Sequence, residues 1–212
     1  MTFDCFGTLV DWHSGFRAIL ADAGLDCVDE LEHAYHGFEA TVEAEPYRSY
    51  RSATRLTLER AAAQQGITLT RNQQTALADN WAKLPVFPDT VPALTRLRNN
   101  GWKIAVLTNC DDDLFAQTQH VIGVAFDAVV TAQTVHSYKP ALAHFKYFRD
   151  NILASHDDWV HTACSWFHDI APARTLGIPR IWIDRDRSGD DPGAANFVLP
   201  NLDRLAEIAD LF

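Results

Sequence analysis

Short apolar runs that alternate with helix-like segments are the feature that most constrains how this chain folds. The alternation begins near residue 86 and continues to the end of the chain. It is typical of a parallel sheet with helices on both faces, whose strands are apolar on both sides. The predicted strands are residues 103–108, 126–131, 159–164 and 180–183, and the predicted helices are residues 111–122, 140–151, 169–176 and 202–211.

Two more elements of this layer precede the KIAVLT strand at residues 103–108. An apolar run at residues 2–5 is the predicted first strand. A helix is predicted directly before residue 103, with Asp89 placed to cap its start, Pro92 in its first turn and Gly101 at its end.

Residues 12–84 differ from the rest of the chain because they contain no convincing β run. A serine precedes and a glycine follows two helix-like segments, Ser14–Gly24 and Ser49–Gly66, and Thr70 with Gln73 has the spacing of a capping box. We therefore predict four helices inserted between the first two strands. The predicted fold class is α/β, with a Rossmann-like parallel-sheet core of residues 1–11 and 85–212 and an inserted helical cap of residues 12–84.

Charge and cysteine spacing restrict the partners and the compartment. The 28 acidic and 18 basic side chains give the 212-residue chain a net charge of −10, the wrong sign for nucleic acid or an anionic membrane. The four cysteines lack CxxC spacing, which predicts free thiols in the cytoplasm. No apolar run reaches the roughly 18 residues of a spanning helix. Only three residues precede Asp4, fewer than in an average strand, so we expect a native start upstream of Met1.

Polar residues directly after the apolar runs are the candidates for a functional site, because open α/β sheets bind ligands at the carboxyl ends of their strands. A carboxylate at a strand end, followed by a glycine that permits a tight turn, is presented to a substrate. Four places in the chain carry such polar residues. They are Asp4 with Thr8, Thr108 with Asn109, Lys139 alone, and Ser165 with Asp169.

In this order, the four places resemble the motifs of the haloacid dehalogenase superfamily. The first motif, FDCFGTLVD at residues 3–11, is most similar to that of the type II haloacid dehalogenases, and the resemblance runs along the whole chain. It implies a Rossmann-like core, a helical cap that closes over the site, and a nucleophilic aspartate, which here falls on Asp4. We predict that Asp169 activates the hydrolytic water.

The remaining catalytic candidates are predicted to serve these two carboxylates and the substrate. Lys139 can offset the repulsion between Asp4 and Asp169, since an ion pair at about 4 Å with an effective dielectric near 20 is worth about 4 kcal/mol before desolvation. Hydroxyl, amide and backbone donors for an anionic substrate or leaving group are predicted from a further set of residues. These are Thr8, Thr108 and Asn109.

Position 6 and position 165 bear on the chemistry. Phosphatases of the superfamily carry a second aspartate two residues after the nucleophile, which protonates the leaving alcohol, whereas this chain has Phe6. A halide leaves without a proton, so Phe6 favours dehalogenation. The magnesium enzymes of the superfamily usually carry an aspartate where Ser165 stands, so we predict no cofactor. Mg²⁺ held by Asp4 and Asp169 is the alternative.

The chain also departs from the type II dehalogenases at positions that contact substrate. Alignment of the cap places Ala34 where those enzymes carry an arginine, and Phe145 stands where they carry tyrosine. A replacement cation is predicted from His36 or from the arginines of the segment 45–51, first among them Arg48. The substrate-binding candidates are therefore Phe6, His36, Arg48 and Trp166. His33 and His36 are three residues apart, but no third metal ligand is spaced to join them, so an ordinary helix face is predicted there.

Together these features predict a hydrolase most similar to (S)-2-haloacid dehalogenases, acting on a small anionic molecule. A magnesium-dependent phosphatase-like hydrolase is one alternative, and metal dependence distinguishes it. A non-catalytic binding protein with the same fold is a second alternative, which the missing cap arginine favours. The sequence leaves a homodimer open and predicts neither nucleic acid nor membrane as a partner.

Overall fold

The structure, a computed structural model, describes residues 1–155 and 159–212. Six parallel strands form one sheet in the order β3-β2-β1-β4-β5-β6. This is the order of a doubly wound, Rossmann-like fold, so the predicted α/β class is confirmed. The strands are β1 (Thr2–Phe3), β2 (Ala105–Thr108), β3 (Ala128–Thr131), β4 (His161–Ala163), β5 (Arg180–Ile183) and β6 (Phe197–Leu199).

The first strand lies at the centre of the sheet, between β2 and β4, with Thr2 opposite Ala105 on one side and His161 on the other. Because successive side chains of a strand face opposite sides, the side chains of β2 pack into two separate hydrophobic cores. Val106 belongs to the larger hydrophobic cluster, which continues into the inserted helices, and Leu107 belongs to the cluster on the other face. The strand order therefore brings the carboxyl end of β1 next to those of β2 and β4.

Five α-helices follow β1 before the chain returns to the sheet at β2, and the first four lie within residues 12–84. An apolar stripe on α2, formed by Leu31, Tyr35 and Val42, is buried against its neighbours, which explains why this segment is helical. The boundaries of residues 12–84 as a separate cap domain stay a prediction. The helices are α1 (Trp12–Asp22), α2 (Val28–Glu43), α3 (Tyr50–Gln64), α4 (Arg71–Asp79), α5 (Thr90–Asn99), α6 (Asp112–Ile122), α7 (Ala132–Val135), α8 (Ala143–Asn151), α9 (Ala171–Thr175) and α10 (Leu205–Ala209).

The helix-start predictions are confirmed at two positions and wrong at two others. The Ser49 hydroxyl caps α3, and Thr70 forms the predicted capping box at α4. Ser14 does not cap α1; its backbone N–H donates to Asp11, which is the cap. Asp89 precedes α5, but its carboxylate instead accepts two hydrogen bonds from Arg185, each 3.0 Å long.

Several predicted element ends are wrong by a few residues, and each has a local cause. The first strand ends at Phe3 rather than residue 5, because the Cys5 carbonyl accepts turn hydrogen bonds from residues 8–10. The second strand begins at Ala105 rather than 103, since the Ile104 N–H donates to the Asp127 side chain. Sequence analysis also missed β6, which is only three residues long.

Most other corrections shorten a predicted element at its amino end. The strand predicted at 126–131 begins at Ala128, and the one at 159–164 is His161–Ala163. Pro140 does not start α8, which begins at Ala143 after a turn. The helix predicted at 169–176 is α9, preceded by a π-helical turn at Trp166–Ile170. No helix within the described residues is long and apolar enough to cross a membrane.

Candidate active site

Two carboxylates and one ammonium meet at the carboxyl edge of the sheet. The Lys139 Nζ atom lies 2.9 Å from Asp4 Oδ1 and 2.7 Å from Asp169 Oδ1. Asp4 follows β1, Asp169 lies in the π-helical turn after β4, and Lys139 comes from the loop after α7. All three residues are buried, so this ion triad is largely shielded from water. The sequence-predicted nucleophile, lysine and water-activating carboxylate are therefore brought together.

The turn after β1 holds the Asp4 side chain in place. The Thr8 hydroxyl donates to Asp4 Oδ2 at 2.8 Å and accepts from the Cys164 backbone N–H at 2.8 Å, which ties this turn to the end of β4. Gly7 has a φ of 84°, and a Cβ there would lie 2.6 Å from the Cys164 sulfur. Only glycine fits this close approach of the two loops.

The Lys139 ammonium sets the charge state of the site. Burial alone lowers the pKa of Lys139, but the Asp169 and Asp4 carboxylates outweigh it and hold that pKa above its ordinary value. Burial likewise raises the pKa of Asp169, yet Lys139 and His161 overcome this and lower it to about 2. Near neutral pH the triad therefore consists of an ammonium and an ionised Asp169 carboxylate, with Asp4 bonded to both Lys139 and Thr8.

A buried chain of hydrogen bonds, not predicted from the sequence, orients Asp169. Trp159 Nε1 donates to the Thr2 hydroxyl at 2.8 Å, Thr2 lies 2.9 Å from His161 Nδ1, and His161 Nε2 lies 3.0 Å from Asp169 Oδ1. Since Thr2 already accepts from the tryptophan, its own proton is available to His161 Nδ1, which leaves the Nε2 proton for Asp169. Asp169 Oδ2 has no hydrogen-bond partner among the described residues.

A cavity of about 370 Å³ opens above Asp4, between the sheet edge and the inserted helices. This volume suits a small molecule. Phe6 lies in its wall, with its ring 6.0 Å from Trp12 and 4.9 Å from Trp81 in edge-to-face geometry. Of the predicted residues, the lining also includes His36, Asn109, Lys139, Ser165, Trp166 and Asp169.

The α2 helix contributes two carboxylates to this cavity, and one of them contacts the sheet edge. Glu43 Oε2 lies 3.2 Å from His168 Nε2, and Glu43 Oε1 accepts from the Asn109 amide at 3.2 Å. Burial raises the pKa of Glu43 to about 6. Burial lowers the pKa of His168, but Glu43 outweighs this and raises it overall. The pair holds the His168 imidazole in the wall of the pocket, beside Ser165, whose hydroxyl lies 3.0 Å from His168 Nδ1.

Sequence reasoning did not select His168, Glu43 or His161 for the site. The one local signal was the spacing of Ser165 and His168, which is that of a helix cap, and the Ser165 hydroxyl does accept from the His168 N–H. Nothing near Glu43 in the sequence indicates its contact with Asn109, which is 66 residues away. Asn109 also holds the backbone of Lys139. Its amide N–H donates to the Lys139 carbonyl, and its side-chain oxygen accepts from the Lys139 N–H.

Thr8 is fully buried and contacts Asp4 and Cys164 rather than the cavity, so its predicted role as a substrate donor is wrong. Two further predicted site residues lie away from the cavity. The Thr108 hydroxyl is buried 3.7 Å from the Cys110 sulfur, so it does not reach a ligand above Asp4. Arg48 pairs with Glu45 at 2.7 Å, outside the cavity wall. Both were predicted because they lie close to other candidate residues in the sequence. In the structure, their side chains point away from the cavity. The cysteines near the site are no nucleophiles, because burial raises the pKa of Cys110 and Cys164 and keeps the thiols protonated.

Comparison with known proteins identifies the family to which the chain belongs. A profile described as haloacid dehalogenase-like hydrolase matches residues 1–157. The chain belongs to this family of hydrolases. Haloacetate dehalogenase H-2 of Moraxella sp. (strain B) is 24% identical over 239 residues, covering 98% of this chain and 96% of that protein.

Other similar proteins include a phosphatase and a further haloacid dehalogenase. Phosphatase MT3486 of Mycobacterium tuberculosis is 26% identical over 228 residues, covering 99% of this chain and 96% of that protein. The crystal structure of the L-2-haloacid dehalogenase RSc1362 superposes with a TM-score of 0.87 at 21% identity, over 99% of this chain and 97% of that one. At this identity, the structural likeness shows a shared fold.

Proposed function

We propose that this protein hydrolyses the carbon–halogen bond of a short 2-haloacid, with Asp4 as the nucleophile. The observation that carries the proposal is the place of Phe6. Its ring fills the wall beside Asp4 and packs against Trp12 and Trp81, so the position that supplies the acid in phosphatases holds a hydrocarbon. A leaving halide needs no proton. Similarity to haloacetate dehalogenase H-2 supports the same reaction class.

In the first step, an Asp4 carboxylate oxygen attacks the carbon that carries the halogen. A carbon–oxygen bond forms, the carbon–halogen bond breaks, and the halide leaves with the electron pair. Lys139 and Thr8 orient the Asp4 carboxylate for this attack through their hydrogen bonds of 2.9 and 2.8 Å. The product of this step is an ester between Asp4 and the substrate.

In the second step, a water molecule cleaves that ester. Asp169 Oδ2, which has no hydrogen-bond partner in the part of the chain that the structure describes, accepts a hydrogen bond from the water and directs it at the Asp4 carboxyl carbon. The low pKa of Asp169 suits it to orienting and polarising the water more than to retaining its proton. The ester bond to Asp4 breaks at the acyl carbon, and the departing 2-hydroxy acid takes up a proton from the attacking water.

The substrate carboxylate requires a positive charge, and His168 is placed to supply it. Ala34 stands at the position of the cap arginine, and Arg48 is held by Glu45. His168 lines the cavity, and the Glu43 carboxylate raises its pKa, which favours the cationic form of the imidazole. We expect His168→Gln to raise KM for a 2-haloacid at least tenfold while kcat changes less. His120→Gln, on the exposed outer surface of α6, is the matched control.

A magnesium-dependent phosphatase is the second candidate. It is favoured by the similarity to phosphatase MT3486 and by Asp169 Oδ2, which no other described residue binds. The donor set suits the ion poorly. Asp4 and Asp169 both bind Lys139, and the Ser165 hydroxyl, at the position of a third carboxylate, is bonded to His168. Mg²⁺ prefers six oxygen ligands with several carboxylates or waters among them. We therefore propose that the reaction proceeds without a metal cofactor.

Turnover of matched substrates distinguishes the candidates. Chelator-treated protein is assayed for halide release from (S)-2-chloropropionate and for phosphate release from p-nitrophenyl phosphate, each with and without added Mg²⁺. We expect halide release that Mg²⁺ does not increase and that Asp4→Asn lowers by several orders of magnitude. Mg²⁺-dependent phosphate release alone would establish the phosphatase, and no turnover of either substrate would favour a binding protein.

Isotope labelling tests the covalent step. A single turnover with excess enzyme in heavy-oxygen water places the solvent oxygen in Asp4 if the ester forms, because water attacks the Asp4 carboxyl carbon. Peptide mass spectrometry is therefore expected to find the label in the Asp4 peptide and not in the first product. Label in the first product with unlabelled Asp4 would show direct attack of water on the substrate.

A further inference from the structure

Two histidines and a glutamate from different helices converge on the cap side of the cavity. His13 lies at the start of α1, and Glu32 and His36 are one turn apart on α2. Glu32 Oε1 lies 2.6 Å from His13 Nδ1 and 3.9 Å from His36 Nε2, and one ligand atom of each residue falls within 4.8 Å of the other two. Imidazole and carboxylate are the ligand types of three-residue zinc sites.

The remaining polar atom of each of these three side chains also has a partner. His36 Nδ1 lies 3.2 Å from Glu39 Oε2, and His13 Nε2 lies 3.7 Å from Asp186 Oδ2. Glu32 Oε2 is paired with the Arg17 guanidinium. Histidines that bind metals almost always direct the second ring nitrogen at a carboxylate, carbonyl or water, which orients the first nitrogen toward the ion. This arrangement leaves His13 Nδ1, His36 Nε2 and Glu32 Oε1 facing one another.

Burial and charge favour a cation at the same point. Only 5% of the Glu32 side chain is exposed, whereas His13 and His36 remain 42% and 35% exposed, so the space between them is reachable from the cavity. Besides Glu32, three carboxylates lie beside the cluster or its arginine, namely Glu39, Asp29 and Asp186, and the Arg17 guanidinium pairs with Glu32. With neutral histidines this surplus of negative charge attracts a divalent ion.

We propose that His13 Nδ1, Glu32 Oε1 and His36 Nε2 bind one divalent transition-metal ion of the zinc type, with a water as fourth ligand. Tetrahedral zinc places neighbouring ligand atoms about 3.3 Å apart, given metal–ligand distances near 2.0 Å. The present separations of 2.6 and 3.9 Å bracket that value, so small side-chain rotations complete the site. The ion would join α1 to α2 and take His36 away from the substrate-binding role predicted from the sequence.

This site is independent of the proposed reaction, since none of its ligands touches Asp4, Lys139 or Asp169 in the described structure. The sequence spacing paired His36 with His33 and indicated no third ligand. The other two ligands are His13, which lies on α1, and Glu32, a carboxylate one turn from His36 on α2. His33 is exposed and has no part in the cluster, which makes it a matched control on the same helix.

Metal binding by the intact chain tests the proposal. Chelator-stripped protein is dialysed against zinc, and bound zinc is measured by elemental analysis alongside the thermal midpoint with and without the ion. We expect about one zinc per chain, a higher midpoint with zinc because the ion binds the folded state, and a tetrahedral absorption band with cobalt. His33→Ala is expected to retain all three properties.

Variants in the cluster decide the outcome. We expect His13→Ala and His36→Ala each to weaken zinc binding at least tenfold, and the double variant to lose the cobalt band. Because both side chains are partly exposed, the variants are expected to fold. Circular dichroism and the zinc-free thermal midpoint check this. Absent saturable uptake by the wild type, equal uptake by the double variant, or an equal loss in His33→Ala would each overturn the proposal.

Discussion

At the residue scale, the two oxygens of Asp169 have different environments. Oδ1 is held by Lys139 at 2.7 Å and by His161 at 3.0 Å, whereas Oδ2 has no partner among the described residues. One oxygen thus fixes the carboxylate and the other remains available to a water. In the proposed mechanism, this asymmetry suits the carboxylate to the hydrolytic step.

Replacing Asp169 with asparagine is expected to stop the reaction after the first step. The amide retains the shape of the side chain but cannot polarise a water as a carboxylate does, so the Asp4 ester accumulates. Intact-mass spectrometry after addition of 2-chloropropionate should show the added mass of a 1-carboxyethyl group esterified to Asp4, and turnover should fall at least 100-fold. Asp190→Asn, on the exposed rim of the cavity, is the control and should show no adduct.

Thr2 is expected to act on hydrolysis through His161 as a positioning residue. Thr2→Val removes the hydroxyl that joins Trp159 to His161, so the imidazole loses its fixed tautomer and Asp169 loses its orientation. We expect ester hydrolysis to slow about tenfold with a shifted pH profile, while halide release in a single turnover is unchanged. Thr162→Val, on the neighbouring strand β4, removes a buried hydroxyl without a hydrogen-bond partner among residues 1–155 and 159–212, and should leave both rates intact. Equal slowing in both variants would contradict the positioning role.

At the element scale, the start of α3 is held by a carboxylate from the sheet edge. Asp111, directly before α6, accepts from the backbone N–H of Tyr50 at 2.8 Å and of Arg51 at 3.0 Å. These are orphan donors of the first helical turn, and a buried carboxylate both binds them and complements the helix dipole. Asp111 thereby fixes an inserted helix to the catalytic edge of the sheet.

Asp111→Ala is expected to lower the free energy of unfolding by about 1–3 kcal/mol, since two buried donors lose their acceptor. Asp113→Ala is the control, because that carboxylate is 62% exposed and pairs with Arg51 at the surface, where an ion pair contributes about 0–1 kcal/mol. Urea unfolding of both variants measures the difference. A loss in Asp113→Ala as large as that in Asp111→Ala would argue against the capping role.

At the scale of the whole molecule, the inserted helices and the sheet meet over the ion triad. The Glu43 carboxylate of α2 contacts His168 and Asn109, and the Asp111 carboxylate reaches α3. Charged groups taken out of water carry these contacts, so protonation couples to the stability of the fold. Asp169 is the buried acid whose pKa is lowered most clearly.

Stability is therefore expected to fall in acid. The folded pKa of Asp169, about 2, lies below the ordinary value near 3.8, so its contribution is fully present above about pH 4 and is lost as the pH falls toward 2. Urea midpoints measured between pH 6 and pH 2 should decrease through this window. Asp169→Asn removes this titration, so a pH dependence as steep as that of the wild type would contradict the assignment.

The sequence by itself determined the α/β class, because apolar periodicity and turn residues depend on residues that are close in the sequence. It also determined that Asp4, Lys139 and Asp169 meet, because parallel strands have their carboxyl ends at the same edge of the sheet. Only the tertiary structure decided which side chains support them. His161 reaches Thr2 across 159 residues, and Glu43 reaches Asn109 across 66. Thr108 and Arg48 point away for the same reason, since side-chain direction follows from packing between distant elements. Patterns among residues that are close in the sequence do not indicate contacts between distant ones.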